Sequence, residues 1–164
     1  MNAIVPSGDR ALYEADEHAW IERQIQALRS GRLHELDRDS LVEYFTDMTI
    51  HDRRELASCF AVLLQHLLKI AFQPVRHSRG WNYTVVDQQQ QIRRLLKSIP
   101  SLSAHQAALF ADAYDDAVRL AAAETGMAVA AFPAASPWSV DAALSFVPPE
   151  PRLPASSNRR RGRD

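Results

Sequence analysis

From Arg53 to Gln73 the chain reads RRELASCFAVLLQHLLKIAFQ, its longest apolar run, and the run has a helix's period. Leu56, Phe60, Leu63, Leu67 and Ile70 recur at steps of four and three, with Leu64, Leu68 and Ala71 beside them. A stripe that wide predicts a buried central helix rather than one lying on a surface. Pro74 ends it, because proline has no backbone N–H to donate.

The same reading predicts the other elements. A first helix is expected over Arg10–Ser30, with Ile21, Ile25 and Leu28 as its apolar face, Trp20 beside them and Gly31 as its stop. Asp37 reads as the N-cap of a second helix, Arg38–Met48, whose face is Leu41, Phe45 and Met48. Thr49, with Asp52 three positions later, reads as a fresh cap that starts the central helix separately. A polar basic loop, 75–80, leads to a fourth helix, Trp81–Ser98, whose seam is Trp81, Val85, Gln88, Ile92, Leu95 and Ile99. A fifth spans Ala104–Thr125 and stops at Gly126, and Ser136-Pro137 opens a short last one. No stretch alternates like a strand. The expected class is all-α, a single compact bundle of about six helices with a buried central one.

Composition adds limits. With 164 residues and 46% hydrophobic content, the chain is large enough for one domain with a core. Its organisation reads as an irregular lead over 1–9, a helical domain over 10–147 and a basic Pro/Arg-rich tail over 148–164 that lacks the apolar residues for a core. The formal net charge is only -1, but the tail holds Arg152, Arg159, Arg160, Arg161 and Arg163 against two acids. The one cysteine, Cys59, excludes an internal disulfide and sits where a small buried hydrophobe is expected. The opening residues lack an apolar signal stretch, and Gln65, His66 and Lys69 interrupt the best apolar run, so no membrane span and a cytoplasmic setting are expected.

The polar outlier of the central run is His66. A histidine at the margin of an apolar face is commonly a hydrogen-bonded core residue; as a site it would act as metal ligand or general base. Its partners would be Glu43 and Asp47, one turn apart on the second helix, if that helix packed antiparallel to the central one, with Lys69, Arg76 or Tyr114 nearby. The di-iron pattern of glutamate and histidine three apart is missing, as are HExxH and paired cysteines. No cofactor is expected: five glycines are too sparse for a phosphate loop or dinucleotide fingerprint. Glu14, His18 and Glu22 share a face that reads as solvated, as do Asp112, Asp115 and Asp116. The segment from Lys69 to Lys97 is basic, and Arg76, Arg79, Trp81 and Arg94 are its candidate binding residues for nucleic acid; pairing of these arginines with acidic helices is the simpler account.

These residues together resemble a known family. The matching runs are Tyr13-Glu14 and Asp16 leading to Trp20, then Leu28-Arg29-Ser30-Gly31-Arg32 with Leu36-Asp37. They continue with Arg53-Arg54-Glu55-Leu56, Leu63 to Lys69, Gln73-Pro74, Arg76, Ser78 and Trp81. Farther on come Ser101-Leu102, Tyr114, Ala117, Ala122 to Gly126, and Phe132-Pro133 before Pro137. From Leu12 to Leu144 the chain resembles the bacterial domain-of-unknown-function family 29. The resemblance implies a compact helical protein and carries no activity. The family's usual Glu-Glu-Ile-Glu run is here Glu43-Tyr44-Phe45-Thr46, two acids poorer, which weakens an enzyme built on His66, Glu43 and Asp47. The expectation is a non-enzymatic interaction or regulatory module that meets a protein partner or its own copy.

Overall fold

A computed structural model describes residues 7–151. Among them are six α-helices and no strand, as the all-α reading expects. In chain order the helices are α1 (Ser7–Ala15), α2 (Glu17–Arg29), α3 (Arg38–Phe72), α4 (Arg79–Ser98), α5 (Gln106–Thr125) and α6 (Val140–Leu144). The number matches expectation through two opposite errors. The expected first helix is two, α1 and α2, and the expected second and central helices are one, α3.

Asp16 causes the first difference. Its backbone leaves the helical region (φ -152°, ψ 84°), and its side chain accepts the Ala19 N–H at 3.0 Å. It is therefore an N-cap that starts α2. The second difference follows from what is missing. No glycine or proline occurs between Gly31 and Pro74, so neither Thr49 nor Asp52 interrupts a 35-residue helix. The lead also ends sooner than expected: residues 7–9 are already in α1, while 1–6 lie outside the described residues.

The chain forms two compact units, Met1–Asp52 and Arg53–Asp164, with the boundary inside α3. In the first unit α2 buries Trp20, Gln24 and Ala27. The expected face is thus displaced by one position, and Ile25 and Leu28 are exposed. Trp20 lies between the rings of Tyr13 and Tyr44, at 4.7 and 5.8 Å. Its indole N–H donates to Asp37 Oδ2 at 3.3 Å. Asp37 Oδ1 accepts the Ser40 N–H at 3.2 Å and so caps α3, as the sequence predicts. The Asp37 N–H in turn donates to Gln24 Oε1 at 2.9 Å. Buried Asp9 faces Arg23 at 3.0 Å, close enough for an ion pair, although the angle makes no hydrogen bond. α2 stops in a Schellman turn: Gly31, at φ 71°, donates to the Leu28 carbonyl, and the Arg32 N–H reaches the Ala27 carbonyl.

The second unit is built on the leucine-rich half of α3. Leu56, Phe60, Leu63, Leu67 and Ile70 are all buried, which is the face the sequence predicts. They meet Val85 and Ile92 of α4 and the Phe110–Ala122 face of α5 in one apolar cluster. Phe60 and Phe110 cross edge to face at 5.2 Å. Small residues on α5 (Ala113, Ala117, Ala121) are buried in the same cluster. Short 3₁₀ turns at Pro74–Arg76 and Pro100–His105 join the long helices. The Ser78 hydroxyl caps α4, and Ser139, not Ser136, caps α6. In α4 the buried glutamine is Gln89 rather than Gln88; its amide donates to the carbonyls of Ala143 and Phe146, each at 2.9 Å. Residues 148–151 have no regular structure, but Asn82 donates to the Pro149 carbonyl at 2.8 Å. The rest of the expected tail, with the arginine cluster, lies outside the described residues.

By length and composition alone, α3 would reach across a bilayer, contrary to the expectation that its polar residues forbid this. In the protein, 56% of its apolar window is buried, as in the core helix of a folded unit.

Candidate functional site

The strongest polar constellation centres on Lys69, which sits within the apolar run of α3. Its side chain is fully buried (relative exposure 0%). An ammonium with no partner there would carry a heavy desolvation cost. Two elements relieve it. Glu124, in the last turn of α5, accepts a short hydrogen bond from Lys69 Nζ. Trp81, in the first turn of α4, places its ring under the same nitrogen, 4.4 Å from the centroid, where the negative face of the π system attracts a cation. Gln65, one turn before Lys69, donates to the other Glu124 oxygen at 2.6 Å. Gln73, one turn after, donates to the Thr125 carbonyl at 3.4 Å. The hydrogen bond from Lys69 holds the Glu124 carboxyl below its ordinary value.

His66 borders this cluster without entering it. Its Nδ1 lies 2.9 Å from the Val62 carbonyl of its own helix. A carbonyl only accepts, so Nδ1 carries the proton, and Nε2 is the acceptor in the neutral ring. Burial lowers the His66 pKa, with a smaller push in the same direction from Lys69. The histidine is a neutral, hydrogen-bonded margin residue.

The expected partners do not gather around it. Glu43 and Asp47 lie on the same continuous helix as His66, so the antiparallel pair of helices that reading needed is not formed. Glu43 instead accepts from Arg10 at 2.5 Å in the first unit, and Asp47 is exposed. Among the described residues no three His, Cys, Asp or Glu side chains converge as a metal site would require. Tyr114 donates to the Pro133 carbonyl at 2.8 Å and is occupied there. Cys59 is buried, its thiol pushed up by burial, which is the opposite of an activated nucleophile.

The basic candidates divide. Trp81 belongs to the Lys69 cluster. Arg76, in the 3₁₀ turn before α4, and Arg79, its first residue, are exposed, and Arg94 lines a shallow depression with Glu55 and Gln91. Among the described residues none of these three arginines forms an ion pair, so the expected pairing with acidic helices is not found. Glu124 is what the sequence reading missed. A lone cation inside an apolar helix demands a carboxylate, but 55 residues separate the partners and nothing local selects this one.

A second feature lies on the first half of α3. Val42 is 67% exposed, Phe45 57% and Met48 49%, with Leu41 half-buried beside them. Of the face expected on the second helix, Leu41, Phe45 and Met48, the last two are on the surface.

A family model described as Domain of unknown function DUF29 matches residues 12–147. No similar protein is found among the curated proteins, and none among the solved structures.

Proposed function

Because the chain belongs to the DUF29 family, a membership that names no reaction, we propose that it is a non-enzymatic interaction module that binds a protein partner or its own copy. One observation carries this reading. Val42, Phe45 and Met48 form an exposed apolar face on a single helix. Scattered apolar residues are ordinary on a protein surface, but neighbouring large ones mark contact surfaces. Phe45 and Met48 are residue types that interfaces favour. The internal partners of the Lys69 cluster also support the reading, because Glu124, Gln65 and Trp81 already occupy the groups that chemistry would need free.

The test is a photo-crosslinking amino acid at Phe45 of the full chain, expressed in its native host. A matched probe at exposed Glu22 of α2 is the control. A discrete adduct at Phe45, absent at Glu22 and lost on Val42→Glu, is expected. Equal labelling at the two positions, or no adduct at Phe45, refutes the proposal.

A further inference from the structure

The charges that flank the exposed face specify what covers it. Arg38, Leu41, Phe45, Met48 and Asp52 follow one another at steps of three, four, three and four. On a continuous helix that spacing keeps all five within a stripe roughly 80° wide. That is the spacing a two-helix coiled contact uses for its seam, here apolar in the middle and charged at each end. The ends differ in sign: Arg38 is basic and Asp52 acidic. Among the described residues neither makes an ion pair within the chain, whereas nearby Glu43 is engaged by Arg10.

We propose that the chain self-associates through this seam, two copies of α3 pairing antiparallel about a two-fold axis at Phe45. This rests on the reading of the chain as an interaction module and names its partner. In that register Phe45 meets the Phe45 of the second copy, and Val42 lies opposite Met48. Arg38 of each copy meets Asp52 of the other, so both ends are complementary at once. A parallel pair would set Arg38 against Arg38 and Asp52 against Asp52. The charge pattern therefore selects the antiparallel arrangement by attraction and rejects the parallel one by repulsion. A two-fold axis also makes the contact close on itself, giving a dimer and not a chain of copies. The seam is about four helical turns long, well short of a standard interface, so the dimer is expected to be weak, with micromolar dissociation.

Sedimentation velocity of the full chain over a concentration series reads this directly. The wild type should pass from monomer to dimer as concentration rises through the micromolar range. Arg38→Asp or Asp52→Arg alone should weaken association by about tenfold, since each places like charges at both ends. Mixing the two single variants should restore it, because their ends become complementary again, and so should the double change in one chain. Circular dichroism checks that each variant remains helical. A wild type that stays monomeric, a dimer indifferent to both changes, or single variants that mixing fails to rescue would each overturn the proposal. If the wild type is monomeric while the Phe45 probe captures a different protein, only the second copy is excluded. If there is neither a dimer nor an adduct, the interaction reading falls too.

Discussion

Lys69 and Trp81 form a cation–π pair inside the second unit, the ammonium 4.4 Å from the ring centroid and tied on its other side to Glu124. Three helices meet at one charge. Lys69 comes from the last turn of α3, Trp81 from the start of α4 and Glu124 from the end of α5. The cluster thus fixes the register of two helix ends against the central helix, a role that needs no substrate.

The two members of the ion pair should differ in what their removal costs. Lys69→Met removes the charge and keeps most of the apolar stem, so the buried site loses its desolvation burden along with its partner. Glu124→Ala leaves the ammonium buried with only Trp81 and is expected to destabilise by about 2 kcal/mol. That is below the roughly 3–5 kcal/mol of a fully buried pair, because Glu124 is half-exposed and water can replace part of it. Urea denaturation should rank Glu124→Ala as the more harmful change. The reverse order would mean that the pair contributes more than the cost of burying it.

Stability should fall as pH drops below the ordinary histidine value near 6.5. Burial holds His66 neutral in the folded chain, so below that value the unfolded chain binds the extra proton. The loss grows until pH reaches the lowered folded value and then levels off. Glu124 adds a separate loss in more acid solution, since its folded pKa lies below 4.5 and its stabilisation vanishes as pH falls through that lower value. Denaturation midpoints measured on both sides of the histidine range should separate for the wild type and converge for His66→Gln. A wild-type midpoint that stays flat across this range would show that His66 is not held neutral.

Asp37 and Asp16 both cap helices, yet their loss should differ. Asp16→Ala removes one cap bond at an exposed position, about 1 kcal/mol. Asp37→Ala removes a cap and also strands the Trp20 indole N–H in a buried site, so about 2–3 kcal/mol is expected. Thermal melts of the two variants, followed by far-ultraviolet circular dichroism, check the order. Equal costs would mean that the 3.3 Å contact to Trp20 contributes nothing.

How much of this could be read from the sequence varied with the element. The core face of the second unit was plain, because five large residues at strict helical steps leave one orientation. In α2 the period was right and the face was wrong. Trp20, Gln24 and Ala27 have the same spacing as Ile21, Ile25 and Leu28, and a polar Gln24 argues for the wrong set unless its bond to the Asp37 backbone is known. An N-cap aspartate looks like any first-turn acid, which hid the break at Asp16. Thr49 and Asp52 resemble a cap, but capping residues permit a helix start without forcing one, and no glycine or proline lies near them to break α3. The Lys69–Glu124 pair was illegible because it depends on how α3 and α5 pack, not on any local pattern.

The exposed half of α3 has a dynamic consequence. Most residues from Val42 to Glu55 are exposed, so little apolar burial holds this stretch helical. Between the Asp37 cap and the leucine core it relies largely on intrinsic propensity, which is marginal for a segment of that length. Its amides should be among the fastest of α3 to exchange with solvent, well ahead of those near Leu63 and Leu67. Covering the seam would then do more than hide apolar surface. It would hold the local helix–coil equilibrium on the helical side, and slowed exchange over these few turns would report occupancy of the face even where the rest of the chain is silent.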